Sequence, residues 1–456
     1  MYDLIVIGGG PAGYRAAEMA GAGGLRVLLA EKREVGGVCL NEGCIPTKTL
    51  LYSAKIKDNA AHGEKYGVLA ESVKLDHKAV LARKNKVVKT LVSGVRAQLR
   101  SAGVTIVQGE AQVLKRGEGF DVKCGEDVHI GQRLLIAAGS VPVVPPIPGL
   151  KESLESGFAL TSREILDLDV VPQRLAVIGG GVIGLEMASY FASAGSEVTV
   201  VEMLESIGGP IDADIAKLLK KNLEKKGITF LLGCRVTEVG SGVLKAQDAA
   251  GIKEIGCDAV LLSAGRRAAS EGLGLNNIGV LSEKGAVMTD ERMRTNIPGV
   301  YAAGDINGKS MLAHTAYREA EVAVNDMLGK ADGMDYRAVP GVIYTSPEVA
   351  GAGETEESAK AKGVAYQSTT VSMRFSGRYL AENEGGDGIA KIITDGRGRI
   401  AGFHMIGSYA SEIIYGASMM IGREMTPAQV QKMIFPHPTV SEIIKECVFQ
   451  TGEHHD

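Results

Sequence analysis

One ten-residue pattern occurs twice in this chain, and it restricts the possible fold more than any other feature. Leu4-Ile-Val-Ile-Gly-Gly-Gly-Pro-Ala-Gly13 recurs as Leu175-Ala-Val-Ile-Gly-Gly-Gly-Val-Ile-Gly184, identical at seven of ten positions. Each copy is a short apolar run, then G-x-G-x-x-G, then a small-residue stretch. That is the pattern of a buried parallel strand running into a helix. Each leads to a second apolar run that closes on an acid, Glu31 or Glu202, 23 residues beyond the first glycine in both copies. Gly8 and Gly179 permit a tight turn, and Gly10 and Gly181 let a pyrophosphate approach the backbone. Gly13 and Gly184 let the helix pack closely on the strand, with its positive end toward the anion. The acids would accept from adenosine ribose hydroxyls. One such motif is weak, because glycine turns are common. Two complete copies imply two dinucleotide sites. Glu202 disfavours the extra phosphate of NADP, and Met203-Leu-Glu205 offers no arginine to hold it, so the second site reads as NAD.

Three further apolar runs end in Ala-Gly, at Gly139-Ser140, Gly265-Arg266 and Gly304-Asp305. Strand ends at the carboxyl edge of a parallel sheet are where ligands sit. The proline-rich stretch 141–149 reads as an extended linker between the nucleotide modules. Beyond about Asp335 the character changes. Runs starting at Gly341, Tyr366 and Ile389 read as strands, with helical stretches near 411–422 and 426–434. The expected organisation is α/β: two Rossmann-like dinucleotide-binding domains, 1–149 and 150–266, a central segment 267–335, and a separate α+β domain, 336–456.

Composition excludes several classes. Sixty glycines in 456 residues carry no Gly-X-Y period, so they serve turns and ligand approach rather than a collagen-like helix. A net charge of -4 gives no footprint for nucleic acid. No apolar run approaches the ~18–20 residues of a membrane span. The first residues carry an acid where an export signal carries positive charge, which with only six cysteines suggests a reducing cytoplasm.

Two cysteines stand five positions apart in Gly36-Gly-Val-Cys39-Leu-Asn-Glu-Gly-Cys44-Ile-Pro-Thr-Lys48, which starts five residues beyond Glu31. The segment is thereby delivered to whatever the first dinucleotide site binds. Pro46 suits the first turn of a helix, which places Cys44 at a helix amino terminus, where the macrodipole lowers a thiol pKa. Lys48, four residues on, adds positive charge on the same side. A structural disulfide or a zinc half-site are the alternatives; the other four cysteines are isolated and offer no second ligand pair. Those four read as small buried hydrophobes.

Set between two dinucleotide motifs, Gly-Gly-x-Cys-Leu-Asn-x-Gly-Cys-Ile-Pro-Thr-Lys resembles the flavoprotein disulfide reductases, and its Leu-Asn and Ile-Pro-Thr details resemble the dihydrolipoamide dehydrogenase branch. The resemblance runs from Gly8 to His437-Pro-Thr-Val-Ser-Glu442. It implies FAD at the first site, with Glu31 on its ribose, Ala138, Gly139 and Ser140 alongside, and Asp305 on the ribityl chain. Met311, Leu312, Ala313 and His314 would line the flavin. Lys48 would sit near its reactive nitrogen, paired with Glu186. The NAD site would use Gly179, Gly181, Gly184, Glu186, Glu202 and Gly265. The central segment would complete the FAD site, and the last domain would form a homodimer. The implied reaction is oxidation of a dihydrolipoyl group, borne by a carrier of a 2-oxoacid dehydrogenase or glycine cleavage system, through a Cys39–Cys44 disulfide. The chain departs from the family pattern at Ala138, Glu42, Phe435 and the Ser263-Ala-Gly-Arg266 run.

Most histidines read as ordinary. His62, His77 and His129 lie in polar surroundings, His454-His455 belong to a charged tail, and His314 and His404 suit a core or a cofactor wall. His437 is set between Pro436 and Pro438, with Glu442 entering a short helix. A carboxylate on one ring nitrogen would fix the tautomer and raise the basicity of the other. The resemblance implies that this pair acts across a dimer interface, beside the partner subunit's Cys39. The rival readings are a related NAD(P)H-dependent reductase of glutathione or another low-mass disulfide, and a docking component with secondary redox activity.

Overall fold

Leu4–Ile7 (β1) is buried at all four positions, as a strand covered on both faces must be. It feeds Pro11–Ala22 (α1), whose N-cap is Gly10 with no side-chain cap, and the chain returns as Val27–Glu31 (β2). A computed structural model describes residues 1–451 of the chain; the His454-His455 pair lies outside the described residues. Contacts divide the chain into two units. The first joins Met1–Thr49, Ala79–Val143 and Gly265–Asp335; the second joins Leu50–Lys78, Val144–Ala264 and the residues from Tyr336 onward.

In the first unit, β1 lies at the centre of a five-stranded parallel sheet in the order Val300–Ala302, Leu134–Ile136, β1, β2, Thr105–Gln108. One face packs on α1 and the helix Ala313–Met327, through residues such as Val6, Leu29, Ala16 and Ala320. The other packs on a three-stranded antiparallel meander spanning Ala111–Gly131, through Ile5, Leu28, Val113 and Val122. Gly37–Glu42 (α2) and Cys44–Ala61 (α3) follow β2 in the chain.

The second unit repeats this plan. Arg174–Ile178 (β3), Val182–Ala194 (α4) and Glu197–Val201 (β4) sit in a parallel sheet ordered Ala159–Leu160, Ala259–Leu262, β3, β4, Thr229–Leu231. A meander, Arg235–Gly256, accompanies it. The duplication seen in ten residues thus extends to four strands and the flanking meander; the fifth, edge strand follows the module in the first unit (Val300–Ala302) and precedes it in the second (Ala159–Leu160). From Gly341 the same unit carries a five-stranded antiparallel sheet, ordered Gly341–Ile343, Glu348–Gly353, Ile400–Gly407, Ile389–Asp395, Tyr366–Ser372. The helices Ala410–Gly422 and Glu442–Gln450 (α5) share its core.

Two local expectations change. The stretch 141–149 does not start as free linker, because Ser140–Pro142 pairs antiparallel with Arg266–Ala268. The helix expected over 426–434 is limited to Pro427–Val430. Lys391, only 2% exposed, is bonded to Asp212, Asp214 and Glu356 at 3.0, 2.6 and 2.8 Å. Burial opposes its charge, yet these bonds more than offset that and hold the ammonium above its ordinary pKa. Among the described residues no helix is long and apolar enough to cross a membrane.

Candidate functional site

The two glycine loops are built to the same plan. Gly8 has φ +102°, and a Cβ there would meet the Ala137 carbonyl oxygen at 2.4 Å; at Gly13 it would meet the Gly8 oxygen at 1.8 Å. Gly179 and Gly184 have the same restrictions, with 2.5 Å to the Ser263 oxygen and 2.2 Å to the Gly179 oxygen. At Gly181, by contrast, a Cβ would meet nothing within 4 Å. That leaves an open cradle before a helix end without side-chain cap or acid in its first turn. Such an end presents N–H groups and the positive pole of the helix to an anion. Glu31 accepts Gly9 N–H at 2.6 Å and Arg33 N–H at 2.7 Å. Glu202 accepts Gly180 N–H at 2.7 Å and Leu204 N–H at 2.9 Å. Each carboxylate oxygen keeps a second lone pair for a hydroxyl donor. Both loops therefore fit a dinucleotide.

The cysteine segment is fastened to the first loop by backbone. Gly36 N–H donates to Gly9 carbonyl at 2.8 Å, and a Cβ on Gly37 would lie 2.5 Å from Gly10 Cα. Gly36 takes the left-handed conformation at the start of α2, and Asn41 Nδ2 donates to the Val35 and Gly37 carbonyls at 3.1 and 3.0 Å. Cys39 lies on α2, and Cys44 is the first residue of α3, with Gly43 between the helices. Both are half-buried free thiols. A hydrogen bond with Cys44, then burial, lifts the Cys39 thiol far above its ordinary pKa, opposed by the charge of Lys48. Glu42 pairs with Arg33 at 2.7 Å. Cys124, Cys234, Cys257 and Cys447 are buried.

At the strand ends of the same unit, Ser140 Oγ donates to Asp305 Oδ2 at 2.5 Å. Arg266 donates to Ser140 through Nε and Nη2 at 2.7 and 2.8 Å. Burial lowers the Arg266 pKa, offset by Asp305, Glu42 and Cys44. Sequence reasoning placed Arg266 at a strand end and in a run that departs from the family pattern, but gave it no partner. It also missed Glu319, which is fully buried and accepts Gly304 N–H at 2.6 Å. It missed the paired phenols of Tyr14 and Tyr317 too. Burial and their mutual bond raise the Tyr14 pKa, with Cys39 and Cys44 also acting on it. The available signal was Tyr14 one turn beyond Gly10. Ala138 and Gly139 follow the strand end, and Met311 to His314 lead into the helix from Ala313.

In the second unit, Glu186 is buried on α4 and accepts Tyr344 N–H at 2.9 Å. Lys48 belongs to the first unit, as does Gly265, whose carbonyl accepts Val143 N–H at 3.0 Å. His437, with a 79% exposed side chain, bonds Glu442 through Nδ1 at 3.0 Å. Glu442 opens α5. The Thr439 N–H, then His437, hold its carboxyl below the usual range. His77 corrects an expectation: it is buried, not in polar surroundings, bonding Tyr190 Oη and the Leu168 carbonyl at 2.7 Å each. His404 is buried as well, bonding the Glu354 carbonyl at 2.7 Å.

A profile of the pyridine nucleotide-disulphide oxidoreductases matches residues 2–320, and one of their dimerisation domain matches 339–448. The chain is 38% identical to a dihydrolipoyl dehydrogenase of Chlamydia muridarum over 98% of this chain and 96% of that one. It is also 38% identical to the dihydrolipoyl dehydrogenase of Mycoplasma pneumoniae, over 98% and 97%. A solved flavoprotein disulfide reductase of Escherichia coli, induced by HOCl, superposes with TM-score 0.86 at 27% identity, covering 98% and 99% of the two chains.

Proposed function

This chain belongs to the pyridine nucleotide-disulphide oxidoreductase family, and from that premise we propose that it oxidises protein-borne dihydrolipoyl groups with NAD through the Cys39–Cys44 pair. It is a flavoprotein disulfide oxidoreductase using FAD and NAD. The observation that carries the reading is the backbone fastening of the cysteine segment to the first dinucleotide loop. In this reading Gly8, Gly10, Gly13, Glu31 and Asp305 hold FAD, and Gly179, Gly181, Gly184 and Glu202 hold NAD. The four-segment division from the sequence describes the domains. The second profile match supports a homodimer.

Oxidised enzyme presents a Cys39–Cys44 disulfide. A substrate thiolate attacks Cys39 sulfur, forming a mixed disulfide and releasing Cys44 as thiolate; the second substrate thiol then displaces Cys39. The lipoyl ring closes as a disulfide, and the electron pair is left on the cysteines. His437, oriented by Glu442, takes the proton that makes each substrate sulfur nucleophilic. One of the two substrate protons passes by way of His437 to the displaced Cys39, and Cys44, the first residue of α3, is left as the thiolate at the positive end of the helix. FAD held by the first glycine loop and Glu31 would supply the hydride chemistry that links the thiol pair to NAD. Net change is dithiol plus NAD+ to disulfide plus NADH and one proton.

The test is steady-state turnover of dihydrolipoamide with NAD against NADH-driven reduction of glutathione disulfide, with an anaerobic spectrum of the half-reduced protein. We expect the dithiol to be favoured by orders of magnitude in kcat/KM, with a long-wavelength thiolate–flavin band. A preference for glutathione disulfide would reject the assignment.

A further inference from the structure

A strongly basic helix is tied to the residues on either side of the cysteine segment. His77–Ser101 carries seven lysines and arginines and no acid, in a chain whose net charge is -4. From Ala79 onward it belongs to the first unit. At 100° per residue, Lys86, Lys89, Arg96 and Arg100 fall within an arc of about 80°, along roughly 21 Å of axis. Lys86, Lys89 and Arg100 are exposed, and no carboxylate lies within ion-pair distance of any of the three among the described residues. Arg96 pairs with Glu34 at 2.7 Å. The adjoining apolar side, centred about 110° round the helix from the stripe, joins the core that holds Leu40 and Ile45, neighbours of Cys39 and Cys44, through Val88, Val92, Val95 and Leu99. Arg83 and Thr49, and Arg96 and Glu34, tie the helix to both flanks of the cysteine segment.

We infer that this basic stripe docks an acidic protein domain that carries the dithiol arm, holding the arm's tether beside the redox pair. The inference rests on the function proposed above. Three unneutralised cations in a row create a field that an acidic partner satisfies and a small neutral substrate ignores. A surface serving only solubility would mix both signs. The stripe would act on encounter and leave the chemistry at Cys39 untouched.

The experiment uses the full-length holoenzyme and its K86E/K89E/R100E variant with two substrates, free dihydrolipoamide and an acidic recombinant dihydrolipoylated domain. With the domain, wild-type kcat/KM should fall about tenfold between roughly 20 and 200 mM salt. The variant should lose about tenfold at low salt and show little salt dependence. With free dihydrolipoamide the two proteins should agree within about twofold, which also shows that the variant is folded. Wild-type kcat/KM on the domain in the variant would overturn the inference. If wild type turns over neither substrate, the function proposed above fails instead, and fluorescence anisotropy of the labelled domain then decides docking: binding lost in the variant upholds it, unchanged or absent binding rejects it. Tight binding of a fluorescent single-stranded oligonucleotide, with none of the domain, would make the stripe a nucleic-acid surface and also overturn it.

Discussion

In both nucleotide modules the loop after the acid-bearing strand returns to the glycine turn and donates one N–H to it. Gly36 gives its proton to the Gly9 carbonyl and Gly208 to the Gly180 carbonyl, each at 2.8 Å. Past that shared bond the modules part. In the first the chain enters α2 and α3, which carry the two thiols. The second runs through Gly209 and Pro210 to Asp212, whose carboxylate caps the helix Ala213–Lys225 in the ordinary way. One framework thus serves both a reactive and a purely binding role, and the difference resides in the few residues after one glycine. A helix that receives its cap from an aspartate has its end satisfied; a helix begun by a cysteine directs that end at a sulfur.

The largest effect that would sharpen this contrast comes from the thiols. Cys39→Ser or Cys44→Ser should reduce dihydrolipoamide oxidation by more than about 10⁴-fold, because the covalent route is lost. NADH-driven reduction of an artificial electron acceptor should persist in both. Cys44→Ser should also lose the long-wavelength band that Cys39→Ser retains. Finding the band lost only in Cys39→Ser would reverse the roles of the two sulfurs.

His437→Ala comes next. Removal of a positioned base should slow flavin reduction by dihydrolipoamide about 10²–10⁴-fold and leave reduction by NADH intact. Rapid mixing with each substrate separates these, and equal slowing would remove His437 from the acid–base role. The sign of the pH effect comes from Glu442. Its folded pKa is depressed, by Thr439 N–H first and His437 second. The pair's contribution is therefore present above the ordinary carboxylate range and is lost only as pH falls through the depressed value. Glu442→Gln should abolish that acid-side dependence and weaken dithiol oxidation less than His437→Ala does.

Coenzyme choice is a smaller effect, confined to the second module. Glu202→Ala combined with an arginine at Met203 should shift the NAD/NADP ratio of kcat/KM by about one to two decades toward NADP. An unaltered ratio would mean that Glu202 does not face the ribose.

The glycines give the finest resolution. Gly181→Ala enters open space at φ -77°, so thermal stability should hold within about 0.5 kcal/mol while the KM for NAD rises several-fold. Gly184→Ala meets a carbonyl at 2.2 Å and should lower the melting temperature instead. A variant at Gly181 that melts early while binding NAD normally would contradict the open-cradle geometry.

What the sequence displays well is what a short stretch determines. Glycine loops, their acids and the cysteine segment each complete their logic within about 25 residues, through backbone demands that only glycine meets. Arg266 and Ser140 are 126 positions apart, and His77 and Tyr190 are 113 apart; no local pattern announces such partners. The strand Glu348–Gly353 reads Glu-Val-Ala-Gly-Ala-Gly, too poor in β-branched residues to be seen by propensity. It is a strand because Ile400–Gly407 pairs along its length. The excursion of residues 50–78 out of the first unit is likewise a matter of tertiary contact, invisible to periodicity.

The contact between Gly37 and Gly10 has a mechanical consequence. Two backbones without side chains meet there as hard surfaces, and hard surfaces do not compress. A spacing held by interlocking side chains can be retuned by exchanging a methyl group; this one cannot, since neither residue has a group to trim and any addition at Gly37 collides with Gly10 at 2.5 Å. The reactive helix is therefore seated against a fixed stop. Its distance from the glycine turn is a constant of the backbone, and substitutions around it can alter reactivity by charge and hydrogen bonding without altering reach.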